Sequence, residues 1–151
     1  MKLGILALTC WLAVGQQSVP RPVPSEATVA LMAGKPAAIA IGSPQYGNRP
    51  KEYPLLRVGT VTLTQAADQP TTLELKGSVM TAAEVDYRIS VWLQSDGGKE
   101  LASSSVVAHV PHIELGRVLM MSKVWKVEFG KVAGEPKSVR IRITGEPRAG
   151  R

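Results

Sequence analysis

The side chains best suited to chemistry are two histidines. His109 and His112 flank Val110-Pro111, and Glu114 follows. Two imidazoles and a carboxylate are ligand types that zinc accepts. Pro111 argues against a helix there, and a histidine pair in a loop is more often solvated or hydrogen-bonded than metal-bound. Ser103, Ser104 and Ser105 offer hydroxyls for nucleophilic attack, but no Gly-x-Ser-x-Gly elbow surrounds them. They read more simply as the polar row and small inward residues of a strand. Glu84 and Asp86 pair two carboxylates on the outer face of one strand, where they are surface charge. Gly97-Gly98 belongs to a turn and opens no helix, so it lacks the anion-binding logic of a helix N-terminus. The expectation is a protein that is not an enzyme, with no catalytic residue, no metal and no cofactor.

Binding is the stronger theme. Trp92 falls on the polar face of its strand together with Arg88. A Trp exposed beside charges suits a glycan or partner contact, although a Trp covered by a loop or neighbouring edge fits the pattern equally. Ser43 to Pro54 carries Tyr46, Arg49 and Tyr53 among Pro44, Gly47, Pro50 and Pro54. Aromatic residues beside basic ones make it a candidate binding loop; the plainer reading is a loop whose tyrosines seal one end of the domain. Charge is uneven. Residues 16–116 hold eight basic and nine acidic side chains, whereas residues 117–151 hold nine basic and three acidic. Lys126, Arg140 and Arg142 in that last third could line a basic strip facing an anionic partner such as an envelope glycan. A solvated face is the simpler account, because Lys and Arg on edge strands also deter aggregation. Nucleic acid is not expected, since alternation puts Trp125 on the face opposite Lys126 and spoils stacking beside that charge.

The elements that must position these residues are strands. Val85, Tyr87, Ile89, Val91 and Leu93 alternate with polar residues, a period of two that lays one apolar row on one face. Asp96-Gly97-Gly98 turns the chain into a second run, Leu101 to Val110, and the pair reads as a hairpin. A two-residue turn sets Val91 opposite Ala102. A three-residue loop sets Leu93 opposite Leu101 and makes Leu101, Ser103, Ser105 and Val107 the inward row. The second register is expected, because it buries Leu101 beside Leu93.

Four further runs alternate in the same way. Thr60 to Gln65 turns Val61 and Leu63 inward, and Thr71 to Lys76 turns Leu73 and Leu75 inward. Leu119 to Phe129 does so with Trp125, Val127 and Phe129, and Ser138 to Thr144 with Val139, Ile141 and Ile143. Ser25 to Gly34 admits a short capped helix or a strand. The strand is preferred, paired with Ala37 to Ile41 across Gly34-Lys35, because Val29, Ile39 and Ile41 are β-branched. The expected fold is all-β, an antiparallel β-sandwich of about seven strands, immunoglobulin-like.

The 151 residues divide into a leader at 1–15, a Pro-rich linker at 16–24, the sandwich at 25–145 and a basic tail at 146–151. Lys2, the apolar run Leu3 to Val14 and the small residues Ala13 and Gly15 have the form of a secretory signal peptide. That run is shorter than the roughly 20 residues a bilayer span needs, so no stable membrane span is expected after cleavage. The one cysteine, Cys10, lies inside the run. The domain itself therefore has no thiol for disulfides or metal, and must rely on its hydrophobic core.

Leu31-Met32-Ala33-Gly34-Lys35-Pro36-Ala37-Ala38-Ile39-Ala40-Ile41-Gly42 resembles a strand–Gly–strand stretch in the β-domain of bacterial secretins. The likeness covers about a dozen residues and carries no functional residue with it. With the leader, it points to a secreted or periplasmic setting. The function expected is an exported, non-enzymatic interaction or accessory module of the bacterial cell envelope, with an envelope protein or anionic glycan as partner. The alternatives are a structural subunit pairing through strand edges, and a small hydrolase or metal protein built on His109 and His112.

Overall fold

A computed structural model describes residues 22–44, 54–81, 84–112 and 117–146. The expected leader, most of the expected linker, residues 45–53 with Tyr46, Arg49 and Tyr53, Glu114 and the last five residues lie outside the described residues. No helix occurs among the described residues, which form eight strands. These are β1 (Glu26–Ala30), β2 (Pro36–Gly42), β3 (Leu56–Thr64), β4 (Thr72–Met80), β5 (Val85–Gln94), β6 (Glu100–Val110), β7 (Met120–Glu128) and β8 (Ser138–Glu146). No helix of the described residues is long and apolar enough to cross a membrane.

The strands build two four-stranded sheets, ordered β1-β8-β5-β6 and β2-β3-β4-β7, with every pairing antiparallel. One cluster of buried side chains draws on both sheets, from Val58, Val61, Leu73 and Leu75 on one to Ile89, Val91, Ile141 and Ile143 on the other. The sheets thus share a single core, and the alternation seen in each strand is the alternation between that core and solvent. Val85, Tyr87, Ile89, Val91 and Leu93 are all buried, as are Trp125, Val127 and Val139. Phe129 packs partly buried at the margin.

Three expectations need correction. The segment at 25–34 does contain a strand, but β1 and β2 do not pair. β1 hydrogen-bonds to β8 and β2 to β3, so the chain changes sheets between them. The short bridge Met32↔Lys35 closes that crossing, with Gly34 at φ 75° in the left-handed region that favours glycine. The strand order also differs from that of a constant-type immunoglobulin domain, whose first two strands share a sheet.

The second correction concerns the hairpin. The Ser95 and Gln94 end of the turn follows the three-residue loop: Ser95 N–H donates to Lys99 C=O at 2.8 Å, Gln94 faces Glu100, and Gly98 adopts φ 79°. A bulge then shifts the register, so that Leu93 faces Ala102 and Tyr87 faces Ala108. The bulged residue is Leu101, and the inward row becomes Ala102, Ser104, Val106, Ala108 and Val110. Val107 is left 53% exposed.

The third correction is an omission. Leu56 and Val58 belong to β3, ahead of the run from Thr60. A bulge between Val58 and Thr60, at Gly59, breaks the phase of alternation and hides them in the sequence.

Candidate binding face

Residues directly opposite one another in adjacent strands share a face of the sheet. The register of the β1-β8-β5-β6 sheet therefore lays out its solvent face in rows. One row runs Glu26, Arg142, Ser90, Ser105, and the next Thr28, Arg140, Trp92, Ser103. Arg88 lies on the other side of the Ser90 row from Trp92, between Thr144 and Val107.

Trp92 stands at the centre of this face. The Arg140 guanidinium carbon lies 4.4 Å from the ring centroid, and that of Arg142 lies 5.7 Å away. A guanidinium over an indole is attracted to the negative face of the π-system. Glu26 on β1 secures the pair from the other side. Arg142 Nε donates to Glu26 Oε2 at 2.8 Å, and Arg140 Nε lies 3.8 Å from Glu26 Oε1. The hydrogen bond from Arg142, helped by the charges of Arg142 and Arg140, holds the Glu26 carboxyl below its ordinary pKa.

Beside the indole lies a shallow, wide-open groove of about 400 Å³ lined by Ser90, Trp92, Ser103, Ser104 and Ser105. Its walls combine one flat apolar surface with several small hydroxyls. Arg88 reaches its rim, donating from Nη1 to Ser105 Oγ at 3.4 Å.

The predicted basic strip divides in two. Arg140 and Arg142 sit on β8 beside Trp92, but Lys126 sits on β7, opposite Glu74 of β4 in the other sheet. The solvent faces of the two sheets point apart, so Lys126 does not join this site. The sequence reading also missed Glu26 and the serine floor. Cross-strand register is what reveals them, and no local pattern announces it.

His109 has a different setting. Its Nδ1 lies 2.6 Å from Asp86 Oδ1, and its Nε2 lies 3.7 Å from Glu84 Oε1. A histidine held by a carboxylate resembles part of a catalytic triad. The nearest serine on the same outward row, Ser105, lies four residues along β6, about 13 Å at strand spacing. That exceeds the hydrogen-bond reach a nucleophile and its base require. Among the described residues, no three His, Cys, Asp or Glu side chains are grouped to hold a metal.

Compared with known protein families, curated proteins and solved structures, the chain has no match in any of the three. The likeness of residues 31–42 to secretins therefore stands on those residues alone.

Proposed function

We propose that this chain is an exported, non-enzymatic β-sandwich that acts as an interaction module of the bacterial cell envelope. It is immunoglobulin-like in its layering of two antiparallel sheets, not in its strand order. The binding surface is the solvent face of the β1-β8-β5-β6 sheet. One observation carries this reading: Trp92 stands with Arg140 against its ring and a serine-lined groove of about 400 Å³ beside it. The surface is open, and one amphipathic aromatic beside small hydroxyls suits a glycan or partner contact across it. The leader form of residues 1–15 supports a secreted or periplasmic setting.

The test is capture from envelope extract by the full chain and by its Trp92→Ala variant, at low and high salt. A component retained by the wild type and lost by a folded variant supports the reading. Equal retention removes the Trp92 face from it.

Pairing through strand edges is a second reading, favoured by a different observation. Of the six large apolar side chains exposed among the described residues, four cluster at Val118, Leu119, Met120 and Val124, along or just before edge strand β7. Against it, Lys123 occupies the core-facing row of β7 yet is exposed, and an inward-pointing charge on an edge guards against such pairing. Sedimentation across a concentration series decides: a strict monomer sinks this reading.

A further inference from the structure

We infer that two copies of this chain pair antiparallel along β6 and so join their β1-β8-β5-β6 sheets into one. The inference rests on the edge-pairing reading and moves it from β7 to a different edge. A free strand edge presents unpaired N–H and C=O groups, a template for another strand, and proteins that stay apart guard such edges. The two sheets leave four edges, β1, β6, β2 and β7. Three are guarded. β1 is only five residues long and opens with Glu26. β2 begins at Pro36, which has no N–H to offer, and its register breaks between Ala38 and Ile41. β7 carries Lys123, Lys126 and Glu128.

β6 lacks these guards along most of its length. With 11 residues it is the longest of the eight strands. Leu101 to Ala108 reads Leu-Ala-Ser-Ser-Ser-Val-Val-Ala, without charge or proline. The bulge at Leu101 lies near its start, so Ala102 to Val110 run in unbroken register with β5. Among the described residues, no backbone hydrogen bond reaches β6 on its other side. Val107, a β-branched side chain on that edge, is half exposed.

The strand also fits its own copy. A twofold axis through Ser105, normal to the sheet, sets Ser105 against Ser105, Ser103 against Val107, Ser104 against Val106 and Ala102 against Ala108. Outward positions meet outward ones and inward meet inward, as cross-strand pairs must. Small side chains meet small or β-branched ones, and no charge meets its like. Past the bulge, Glu100 of one copy comes alongside His109 of the other, an acid beside an imidazole. Such an interface uses the same strand on both copies and closes at two. The outermost strand of the joined sheet is then β1 at both ends, short and charged. Because the axis is normal to the sheet, the two Trp92 side chains fall on the same side of it.

Sedimentation of the full chain across a concentration series tests the pairing. Wild type should dimerise. Ser105→Lys sets two ammonium groups against each other at the axis and should weaken the dimer about tenfold. Val124→Glu, on β7, should leave it unchanged. Circular dichroism confirms that each variant is folded. A covalent readout serves if Lys is not tolerated. Residues opposed in an antiparallel pair lie about 4.5–5.5 Å apart at Cα, within disulfide reach. Ser105→Cys in a Cys10→Ser background should therefore cross-link two copies under dissolved oxygen, and Lys99→Cys should not. A dimer that Ser105→Cys does not cross-link overturns the pairing at β6. A dimer weakened by Val124→Glu and indifferent to Ser105→Lys overturns it too, while edge pairing stands at β7. A strict monomer overturns both.

Discussion

Arg140 lies over the ring of Trp92, 4.4 Å from its centroid, although the two residues are neighbours only because β8 hydrogen-bonds to β5. Arg140 Nε is sealed from solvent and has no hydrogen-bond acceptor among the described residues. Glu26 Oε1, 3.8 Å away, is the carboxylate beside that nitrogen, while the guanidinium carbon sits over the indole. A double-mutant cycle with Trp92→Ala and Arg140→Ala should show a coupling of about 0.5–1 kcal/mol, the size of a partly exposed cation–π pair. Urea denaturation of the four proteins measures it. Additive losses would mean that the contact contributes nothing.

Glu26 makes the same face sensitive to acid. Its folded-state pKa is depressed by the bond from Arg142. Its contribution to stability is therefore present above the ordinary glutamate pKa and lost as pH falls through the lowered value. Wild type should lose more stability on acidification through that window than Glu26→Gln does. Carboxyl chemical shifts followed by NMR should place Glu26 below the other glutamates. A Glu26 titrating with them would remove the ion pair from the account.

Gly77 should tolerate no side chain. A Cβ there would sit 1.8 Å from the Arg57 carbonyl oxygen and 2.8 Å from the Arg57 carbonyl carbon. Both are backbone atoms of the adjacent strand next to the Gly59 bulge, so the sheet itself must move. Gly77→Ala should cost about 3 kcal/mol or prevent folding, at the upper end of overpacking changes. Gly97→Ala, with no atom within 4 Å, should stay within about 0.5 kcal/mol of wild type. Thermal melts of the two variants make the comparison.

The exposed row on β7 should be replaceable without harm to the fold. Val124 is 54% exposed and faces Lys76 across the strand pair. Val124→Glu adds an opposite-charge cross-strand pair and should leave stability within about 0.5 kcal/mol, while raising solubility. Leu75→Ala, in the buried row of β4, should cost about 2–5 kcal/mol. A large loss in Val124→Glu would show that the row is packed against something.

Which side of a strand faces inward was legible in the sequence wherever alternation runs unbroken, because it is local and needs only a few residues; β6 is the exception, where the bulge at Leu101 turned the expected row of Ser103, Ser105 and Val107 outward. Tyr87, Leu73, Val127 and Ile141 all fell where the period of two put them. Which strand lies beside which was not legible. Val29 and Ile41 look like a hairpin across Gly34, yet their strands belong to different sheets. Lys126 and Arg140 look alike on paper, yet one sits opposite Glu74 and the other opposite Trp92. The bulges at Gly59 and Leu101 each slip the phase by one residue. Of the site, Trp92 and its two arginines could be named in advance, but Glu26 could not. It reaches Arg142 from 116 positions away along the chain.

That separation bears on how the chain is made. Sheet β1-β8-β5-β6 has the last strand as an interior member, holding β1 on one side and β5 on the other. Synthesis runs from the N-terminus, so β1, β5 and β6 emerge before the strand that joins them. Until residues 138–146 leave the ribosome, β5 lacks its partner on that edge and β1 has no hydrogen-bonded strand in its sheet. A nascent chain of this design remains unfinished throughout elongation. It is open to chaperones and slow to collapse, as expected where the decisive pairings are long-range.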